Sequence, residues 1–368
     1  KYAPKNDPNW WFRNTMPKSS VKFFVPNIWA TIPFVAGTVA NHSKPKEVPN
    51  NIADKFEAGK KINNIKLFKK RFPEVSLSAT IGNFDGMHLG HKAILEKVKK
   101  NAKEKNLSTL VIFTEPHAAE YFSKVNNTSP PPRIIPWRDK LRLISENGID
   151  FCMLLRFDES LKSMTPEQFT EQILEELQIK SLTIGDDFKF GKDRKGDYQF
   201  LKNWGESMSI EIDKTDTIKV DDQRVSSTRI REALISNNFK NANVMLDWHY
   251  SYSGKVVYGN QLGREIGVPT ANIWIPKQKL PISGVYAVRC FVDHAKYLGI
   301  ANMGIRPTVG GTRPVLETHI FDFEKDIYGR RITVQFIEKI REEVRFDSID
   351  LLKSQIKKDI EEAKKILD

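Results

Sequence analysis

The stretch Ile81-Gly82-Asn83-Phe84-Asp85-Gly86-Met87-His88-Leu89-Gly90-His91 decides the fold of the first half of this chain. It follows an apolar run at 77–81 that predicts a short buried strand, and it leads into a helical pattern over 89–103. In open α/β sheets, ligands bind off the carboxyl ends of strands, beside helix N-termini that attract phosphate. The stretch therefore predicts a phosphate-binding turn.

Alternating strands and helices continue beyond this turn. The patterns predict strands at 107–113, 151–155 and 181–184 and helices at 137–146, 166–177, 227–236 and 239–246. Repeated β-α-β units imply a parallel sheet with helices on both faces.

The pattern changes after about residue 250, where short strands are separated by Gly, Pro, Asn and Asp. These strands are predicted at 255–258, 270–274, 284–292, 296–300, 316–323 and 331–340, which is typical of an antiparallel barrel or sandwich. An amphipathic helix over 348–367 ends the chain, and its expected core contacts are Leu351, Ile356, Ile360 and Ala363.

The composition is that of a globular protein. The chain has 368 residues, of which 40% are hydrophobic and 28% charged, which excludes disordered, collagen-like and multi-span membrane classes. Its formal net charge is +12, but residues 1–70 carry +9 of it, so the rest of the chain is nearly neutral. Cys152 and Cys290 lie far apart and cannot form a disulfide framework or a zinc site, so we expect a reducing, cytoplasmic setting.

No function can be inferred from the sequence of the basic N-terminal segment. The chain begins at Lys1 rather than Met, so we expect its start to be incomplete. The apolar run at 23–40 is interrupted by prolines and is too short for a transmembrane helix, although it faintly resembles a signal peptide. We favour an extension over a membrane or export role.

Two segments carry charge-stabilising groups. His88 and His91 are three residues apart at a helix start, so both imidazoles can point to one side and donate to phosphate oxygens. Val225-Ser226-Ser227-Thr228-Arg229-Ile230-Arg231 begins a later helix that Ser227 can cap, with Arg229 or Arg231 near its positive end. Alone, each segment is also compatible with an ordinary turn or a capped helix.

Together, these segments resemble the HxGH and SSTxxR motifs of the nucleotidyltransferase superfamily. Phe113-Thr114-Glu115-Pro116-His117, Pro131-Pro132-Arg133-Ile134 and Gly185-Asp186-Asp187-Phe188-Lys189-Phe190-Gly191 are similar to the FMN adenylyltransferase module of bacterial bifunctional riboflavin kinase/FAD synthetases. The resemblance implies that His88, His91, Ser227 and Arg229 stabilise charge on the triphosphate, and that Asp187 and Phe188 lie in the flavin and nucleotide pocket.

The second half resembles the riboflavin kinase module of the same family. Pro269-Thr270-Ala271-Asn272 matches its signature, and the stretches at 284–287, 302–308 and 316–323 follow in the family's order. Thr270 and Asn272 offer oxygens suited to Mg²⁺, and there is no Walker motif. The resemblance assigns Glu317 as the general base for the ribityl hydroxyl.

The resemblance covers about residues 60–367 and implies a Rossmann-like domain followed by a six-stranded antiparallel β-barrel with a C-terminal helix. We expect a basic extension at 1–58, an FMN adenylyltransferase domain at 59–248 and a riboflavin kinase domain at 249–368. The expected substrates are riboflavin, FMN and ATP with Mg²⁺, and no nucleic-acid partner. The expected nucleotide- and flavin-binding positions are Gly82, Asn83, Phe84, Asp85, Gly86, Asp187, Phe188, Ser226, Ser227, Thr228, Gly254, Gly259, Gly263, Arg264, Gly267 and Pro269.

The chain departs from the family at two places. The proline usual after the Glu-Pro-His segment is Ala118, and a common Leu-Gly-Arg-Pro-Tyr at the junction reads Leu246-Asp247-Trp248-His249-Tyr250. Two alternatives stay open: a riboflavin kinase with a degenerate adenylyltransferase site, and a membrane- or nucleic-acid-tethered protein that uses the basic N-terminus.

Overall fold

A computed structural model describes residues 63–259, 262–276, 279–308 and 311–368. The basic extension expected at 1–58 lies outside these residues. In the part of the chain that is described, no helix is both long and apolar enough to cross a membrane.

The first half contains a five-stranded sheet in the order β3-β2-β1-β4-β5, in which all neighbouring strands pair in parallel. Alternate residues of β2 enter different cores: Val111 and Phe113 join one apolar cluster, whereas Leu110 and Ile112 join another. Because successive side chains of a strand point to opposite faces, both faces of the sheet are covered, as predicted. The strands are β1 Leu77–Ile81, β2 Ser108–Glu115, β3 Phe151–Arg156, β4 Ile179–Ile184 and β5 Glu211–Lys214.

Helices follow most of these strands. The predicted helix at 166–177 begins at Pro166 after the Thr165 cap, but its α-helical part ends at Phe169 and a π-helical turn continues over Thr170–Glu175. The helices of this half are α1 Asn63–Arg71, α2 Leu89–Lys105, α3 Ala118–Val125, α4 Trp137–Glu146, α5 Glu159–Ser163, α6 Pro166–Phe169, α7 Tyr198–Met208, α8 Ser227–Ile235 and α9 Phe239–Leu246. A short hairpin, β6 Lys219–Val220 and β7 Gln223–Arg224, precedes α8.

The second half is a closed antiparallel barrel in the order β10-β11-β12-β9-β8-β13. β11 and β12 extend further towards the turn that joins them than the sequence predicts. The two strands pair continuously from Gly299↔Ile320 to Thr308↔Gly311. The strands are β8 Ser251–Val257, β9 Ala271–Ile273, β10 Gly284–Val292, β11 Ala295–Thr308, β12 Gly311–Ile320 and β13 Arg331–Arg341, and a short helix, α10, spans Leu262–Glu265.

The C-terminal helix α11 spans Ile349–Leu367 and is capped by Ser348, whose hydroxyl accepts from the Leu351 N–H at 3.3 Å. Ala363 packs in the barrel core and Ile360 lies against it, as predicted. The prediction for Leu351 is wrong, because its side chain is 56% exposed in the first turn.

The junction between the halves is tightly packed. Phe239 of α9 lies against Tyr286 and Phe336 of the barrel, with ring centroids 5.8 and 6.5 Å away. Asp247 has a φ of 57°, a left-handed conformation that favours glycine, which explains the glycine usual there. Its carboxylate pairs with Lys92 at 2.7 Å. The division at residue 248 stays a prediction.

Candidate active sites

The first candidate site lies where β1 ends and α2 begins. The imidazole rings of His88 and His91 stack with centroids 3.6 Å apart and planes 17° apart, so both rings do lie on one side. His88 caps α2, and its Nδ1 accepts from the His91 backbone N–H at 3.4 Å. The Nδ1 atom of His91 is buried and has no hydrogen-bond partner.

Both histidines are uncharged near neutral pH. Burial is the main cause that lowers the pKa of His88 to about 4, and the positive charges of Arg224 and Arg231 add to it. Burial, His88 and Lys140 hold the pKa of His91 well below its usual value. Neutral imidazoles donate through one ring N–H, so positive charge at this site comes from the arginines and the lysine.

The turn between β1 and the two histidines is held in place by buried side chains. Gly86 has a φ of +89°, and a Cβ atom there would lie 3.0 Å from the Ile134 side chain. Phe84 is fully buried, with its ring centroid 5.0 Å from that of His91. Gly82 is half-buried and Asn83 is exposed. Phe84 therefore supports the turn rather than presenting a binding surface.

Asp85 was expected to bind ligand, but its buried carboxylate is used within the protein. It accepts from the backbone N–H groups of Ile134 and Ile135 and from Arg231 Nη2 at 2.7 Å. The Ser227 hydroxyl donates to the Asp85 carbonyl at 2.8 Å. Asp85 thus links the turn to α8 and holds Arg231 in place.

The start of α8 differs from the sequence prediction in two respects. Ser226, not Ser227, is the N-cap, and its hydroxyl accepts from the Arg229 N–H at 3.3 Å. Arg229 Nη1 donates to the carbonyls of the β6–β7 hairpin, including Gln223 at 2.9 Å. Thr228 is exposed. Arg229 is therefore bound to the hairpin, whereas the positive charge of Arg231 helps to lower the pKa of His88.

From the sequence, Arg231 was named only as an alternative and the charge-stabilising role was given to Arg229, although the motif itself favours Arg231. Counting SSTxxR from Ser226 places the final arginine at 231, not at 229. The Arg231 side chain is fixed by Asp85 and by the Pro132 carbonyl, which accepts from Nε at 2.7 Å.

Arg224 connects a third segment to the histidines. Its Nη2 lies 2.6 Å from Asp186 and 3.1 Å from Asp187, and its charge contributes to the low pKa of His88. Asp187 is exposed, and Phe188 stacks on Phe190 at 5.6 Å. The Asp187 segment is therefore linked to the histidine pair through Arg224, and its place in the flavin and nucleotide pocket stays a prediction.

An aromatic patch lies beyond the carboxyl ends of β2 and β3. Tyr121, Phe122 and Phe157 contact one another edge to face, at centroid distances of 5.4 to 5.8 Å. Phe122 is 40% exposed, which is unusual for so large an apolar ring. Helix α3 was not predicted from the sequence, so this patch was missed.

The second candidate site is a cavity of about 270 Å³ in the barrel. Glu317 of β12 is the direct cross-strand partner of Asn272 on one side and of Asn302 on the other. All three line the cavity with Thr270 and Gly263, so the predicted base and the predicted metal ligands are brought together. Asn302 was not predicted, and its buried Oδ1 has no hydrogen-bond partner.

Part of the lining of this cavity is apolar and includes residues of the C-terminal helix. Its members are Val285, Ile300, Val344, Phe346, Leu352 and Ile356. Arg341 binds the buried Asp359 through Nε and Nη2, with a shortest distance of 2.7 Å, and so fixes α11 to β13 at the cavity.

The predicted glycines of this half serve different purposes. A Cβ atom on Gly254 would lie 2.2 Å from Ile273, so the buried Gly254 is a packing position between β8 and β9 rather than a ligand-binding one. A Cβ on Gly259 would lie 2.4 Å from the Asn272 amide, so this glycine lets the chain pass close to a site residue. Arg264, Gly267 and Pro269 are exposed beside the cavity, and the Pro269 carbonyl accepts from His319 Nδ1 at 2.8 Å.

Comparison with known families assigns both halves. Residues 73–229 match the FAD synthetase family model, and residues 246–367 match the riboflavin kinase family model. A bifunctional riboflavin kinase/FMN adenylyltransferase from Haemophilus influenzae is 42% identical over 287 residues, covering 77% of this chain and 92% of the relative. The Escherichia coli K12 relative of the same description is 41% identical, covering 78% of this chain and 91% of its own length.

A solved structure shares the arrangement of both halves. The crystal structure of a macrolide-efflux protein from Streptococcus pneumoniae superposes with a TM-score of 0.64 at 30% identity. The superposition covers 79% of this chain and 94% of that one.

Proposed function

This chain belongs to the bifunctional riboflavin kinase/FMN adenylyltransferase family, and we propose that it converts riboflavin to FMN and then FMN to FAD. In the first reaction, the riboflavin 5′-hydroxyl attacks the γ-phosphorus of ATP, giving FMN and ADP. In the second, an FMN phosphate oxygen attacks the α-phosphorus of another ATP. The bond to the β-phosphate breaks, and pyrophosphate leaves.

We infer that the barrel cavity is the kinase site. Glu317 takes the proton of the attacking hydroxyl, a role for which its carboxylate must lie within hydrogen-bond reach of that group. The apolar wall formed by Val285, Phe346 and Ile356 suits the flat ring system of a flavin.

Thr270 and Asn272 are the proposed ligands of Mg²⁺. Their hydroxyl and amide oxygens line the same cavity as Glu317, and oxygen atoms are the donors that Mg²⁺ prefers. The described residues hold no cluster of three or more His, Cys, Asp or Glu side chains suited to a metal. This fits an ion bound jointly by one or two protein groups and substrate phosphates. When bound, Mg²⁺ neutralises charge on the transferring phosphoryl group.

We assign adenylyl transfer to the turn that carries His88 and His91. The histidine N–H groups donate to the triphosphate, while Arg231 supplies charge that Asp85 holds in position. Ser227 orders the turn through the Asp85 carbonyl. Such catalysis depends on positioning and electrostatics and needs no protein nucleophile.

The aromatic patch of Tyr121, Phe122 and Phe157 is the proposed contact for the FMN ring at this second site. It lies beyond the strand ends where ligands of parallel sheets bind, and the exposed Phe122 ring, flanked by the half-buried rings of Tyr121 and Phe157, can stack on a flat aromatic ligand. Asp187 and Phe188, near Arg224, are the proposed pocket residues on the other side of the histidines.

The observation that supports the proposal is that the residues proposed for both sites occur in one chain, with His88 stacked on His91 and Glu317 opposite Asn272. A degenerate adenylyltransferase site would not require a stacked histidine pair backed by a fixed Arg231–Asp85 pair. The two cysteines, both free thiols, support a reducing cytoplasmic location. FMN passes between the sites by diffusion in the simplest scheme.

The test is a time course with riboflavin and MgATP, in which riboflavin, FMN and FAD are resolved by chromatography. We expect FMN to rise first and FAD to follow. FMN without FAD would support a kinase with a degenerate second site, and neither product would refute the assignment. A salt-dependent lipid or nucleic-acid interaction lost on deletion of residues 1–58 would instead support the tethering alternative.

A further inference from the structure

Lys140 of α4 has a fully buried side chain. Lysine is almost never fully buried unless an anion pairs with it. Its Nζ donates to the Asn83 carbonyl at 2.6 Å, lies 2.8 Å from His117 Nε2 and sits 4.7 Å from the centre of the Phe113 ring. None of these partners is a carboxylate, and no ion pair joins Lys140 to an acid within the described ranges.

This ammonium lies directly behind the adenylyl-transfer turn. Asn83 precedes Phe84, whose ring contacts His91, and His91 stacks on His88. The charge of Lys140 also reaches His91, because it is one cause of the low pKa of that imidazole. A neutral His117 accepts from the ammonium through Nε2, so Lys140 fixes that ring as well.

The neighbouring cations, unlike Lys140, are each paired with a carboxylate. Arg133 is bound by Glu115 and Glu120, and Arg231 is bound by Asp85. Lys140 is therefore a buried cation beside the turn whose direct partners are all uncharged. A buried charge without a counter-ion is unfavourable for folding, and an apolar side chain could fill the same space. Groups that lower stability in this way often serve the reaction.

We propose that Lys140 is a positioning residue for adenylyl transfer. It holds the Asn83 carbonyl and the His117 ring, and it keeps a fixed positive charge behind the histidine pair as negative charge moves onto the leaving pyrophosphate. This inference rests on the proposed function of the turn. Preorganised charge in a water-poor site acts more strongly than in water, because less of it is screened.

The charge state of Lys140 provides a specific readout. Burial lowers its pKa to about 8, against the effect of the nearby acids. The ammonium is therefore lost as pH rises through that value, and FAD formation should slow with it. The titratable and charged groups that face it are Asp85, Glu115, Arg133, Cys152, His91 and His117.

The experiment compares wild type with Lys140→Met and Lys140→Arg in the full chain. Conversion of FMN to FAD is measured as kcat and KM between pH 6.5 and 9.5, and FMN formation from riboflavin is measured in the same preparations. Arg142→Met is the matched control, because Arg142 lies on the same helix and pairs with Glu146 at 2.8 Å.

We expect Lys140→Met to lower kcat for FAD formation about 100-fold at pH 7, with KM changed less than about threefold, and to lose the fall in kcat near pH 8. Lys140→Arg should recover at least about tenfold over the methionine variant, because its charge persists throughout this range. FMN formation should be unchanged in both variants, and Arg142→Met should match wild type in both reactions.

Three results would overturn the inference: a kcat for Lys140→Met within about threefold of wild type, an alkaline fall that persists in that variant, or a parallel loss of both activities. Absence of FAD formation by wild type would instead refute the proposed function of the turn.

Discussion

Asn272 and Glu317 lie directly opposite each other on the antiparallel strands β9 and β12, and both line the barrel cavity. Directly paired residues on one sheet face have Cβ atoms about 5 Å apart. A proposed Mg²⁺ ligand and the proposed general base are thus neighbours across one strand pair. Their roles can be separated by varying the metal concentration.

Asn272→Ala should raise the Mg²⁺ concentration needed for half-maximal FMN formation, by about tenfold, because an oxygen ligand is removed. Glu317→Gln should lower kcat by about 100-fold or more at saturating Mg²⁺ without shifting that concentration. Initial rates of FMN formation over a Mg²⁺ series check both. An Asn272→Ala variant with unchanged metal dependence would contradict the assignment of Asn272.

The two arginines of α8 should differ in importance. Arg231 is held toward His88, whereas Arg229 Nη1 donates to the hairpin carbonyls. Arg231→Met should lower kcat for FAD formation by about 100-fold, and Arg229→Met by less than about tenfold. Steady-state kinetics with FMN and ATP check this, and FMN formation serves as the control for folding. The reverse order would restore Arg229 as the charge-stabilising residue.

His88 should make the protein sensitive to acid. Its pKa is lowered from 6.5 to about 4, mainly by burial, so between these values the unfolded chain binds a proton that the folded one does not. Stability present above pH 6.5 is therefore lost as pH falls toward 4, by about 3 kcal/mol from this group.

His88→Asn should reduce that loss, since asparagine stays neutral and can also cap a helix. Urea unfolding midpoints at pH 7 and pH 4.5 measure this loss of stability. The variant should lose less stability on acidification than wild type. An equal loss in both would contradict the assignment of this acid sensitivity to His88.

The Arg341–Asp359 pair should matter for kinase activity alone. Asp359 is only 2% exposed and Arg341 is half-buried, so Asp359→Asn removes the buried counter-charge of this guanidinium and should destabilise the barrel by about 3 kcal/mol. Because α11 lines the cavity, FMN formation should also fall.

Glu362→Gln is the matched control, because Glu362 pairs with Lys365 on the exposed surface of the same helix. Thermal unfolding and FMN formation should be unchanged in this control. An equal effect of the two substitutions on FMN formation would contradict a role for the buried pair.

Much of the fold could be predicted from sequence where side-chain pattern and burial agree. β1, α4 and β10 have the predicted bounds because their apolar residues follow strand or helix periodicity. β11 and β12 extend further, since cross-strand pairing continues into polar sequence. The π-helical turn at Thr170–Glu175 has no signal that distinguishes it from an α-helix.

The candidate sites were predicted only where a motif names the residue. His88, His91 and Glu317 come from such motifs, and the structure places each at a strand end or beside a cavity. Arg231 was passed over in favour of Arg229 because the motif register was misplaced. Lys140 and Asn302 were missed because nothing local in the sequence shows that a lysine is buried or that an amide oxygen lacks a partner.

The most direct test of the central claim, two separate sites acting in sequence, uses the complementary variants Glu317→Gln and His91→Ala. Each is incubated with riboflavin and MgATP, alone and mixed, and FMN and FAD are quantified by chromatography. Glu317→Gln alone should form FMN and FAD at no more than about 1% of the wild-type rate but convert added FMN to FAD. His91→Ala alone should accumulate FMN. The mixture should form FAD, because FMN made by one variant diffuses to the other. Loss of both activities in either folded variant, or a mixture that forms no FAD, would contradict the account.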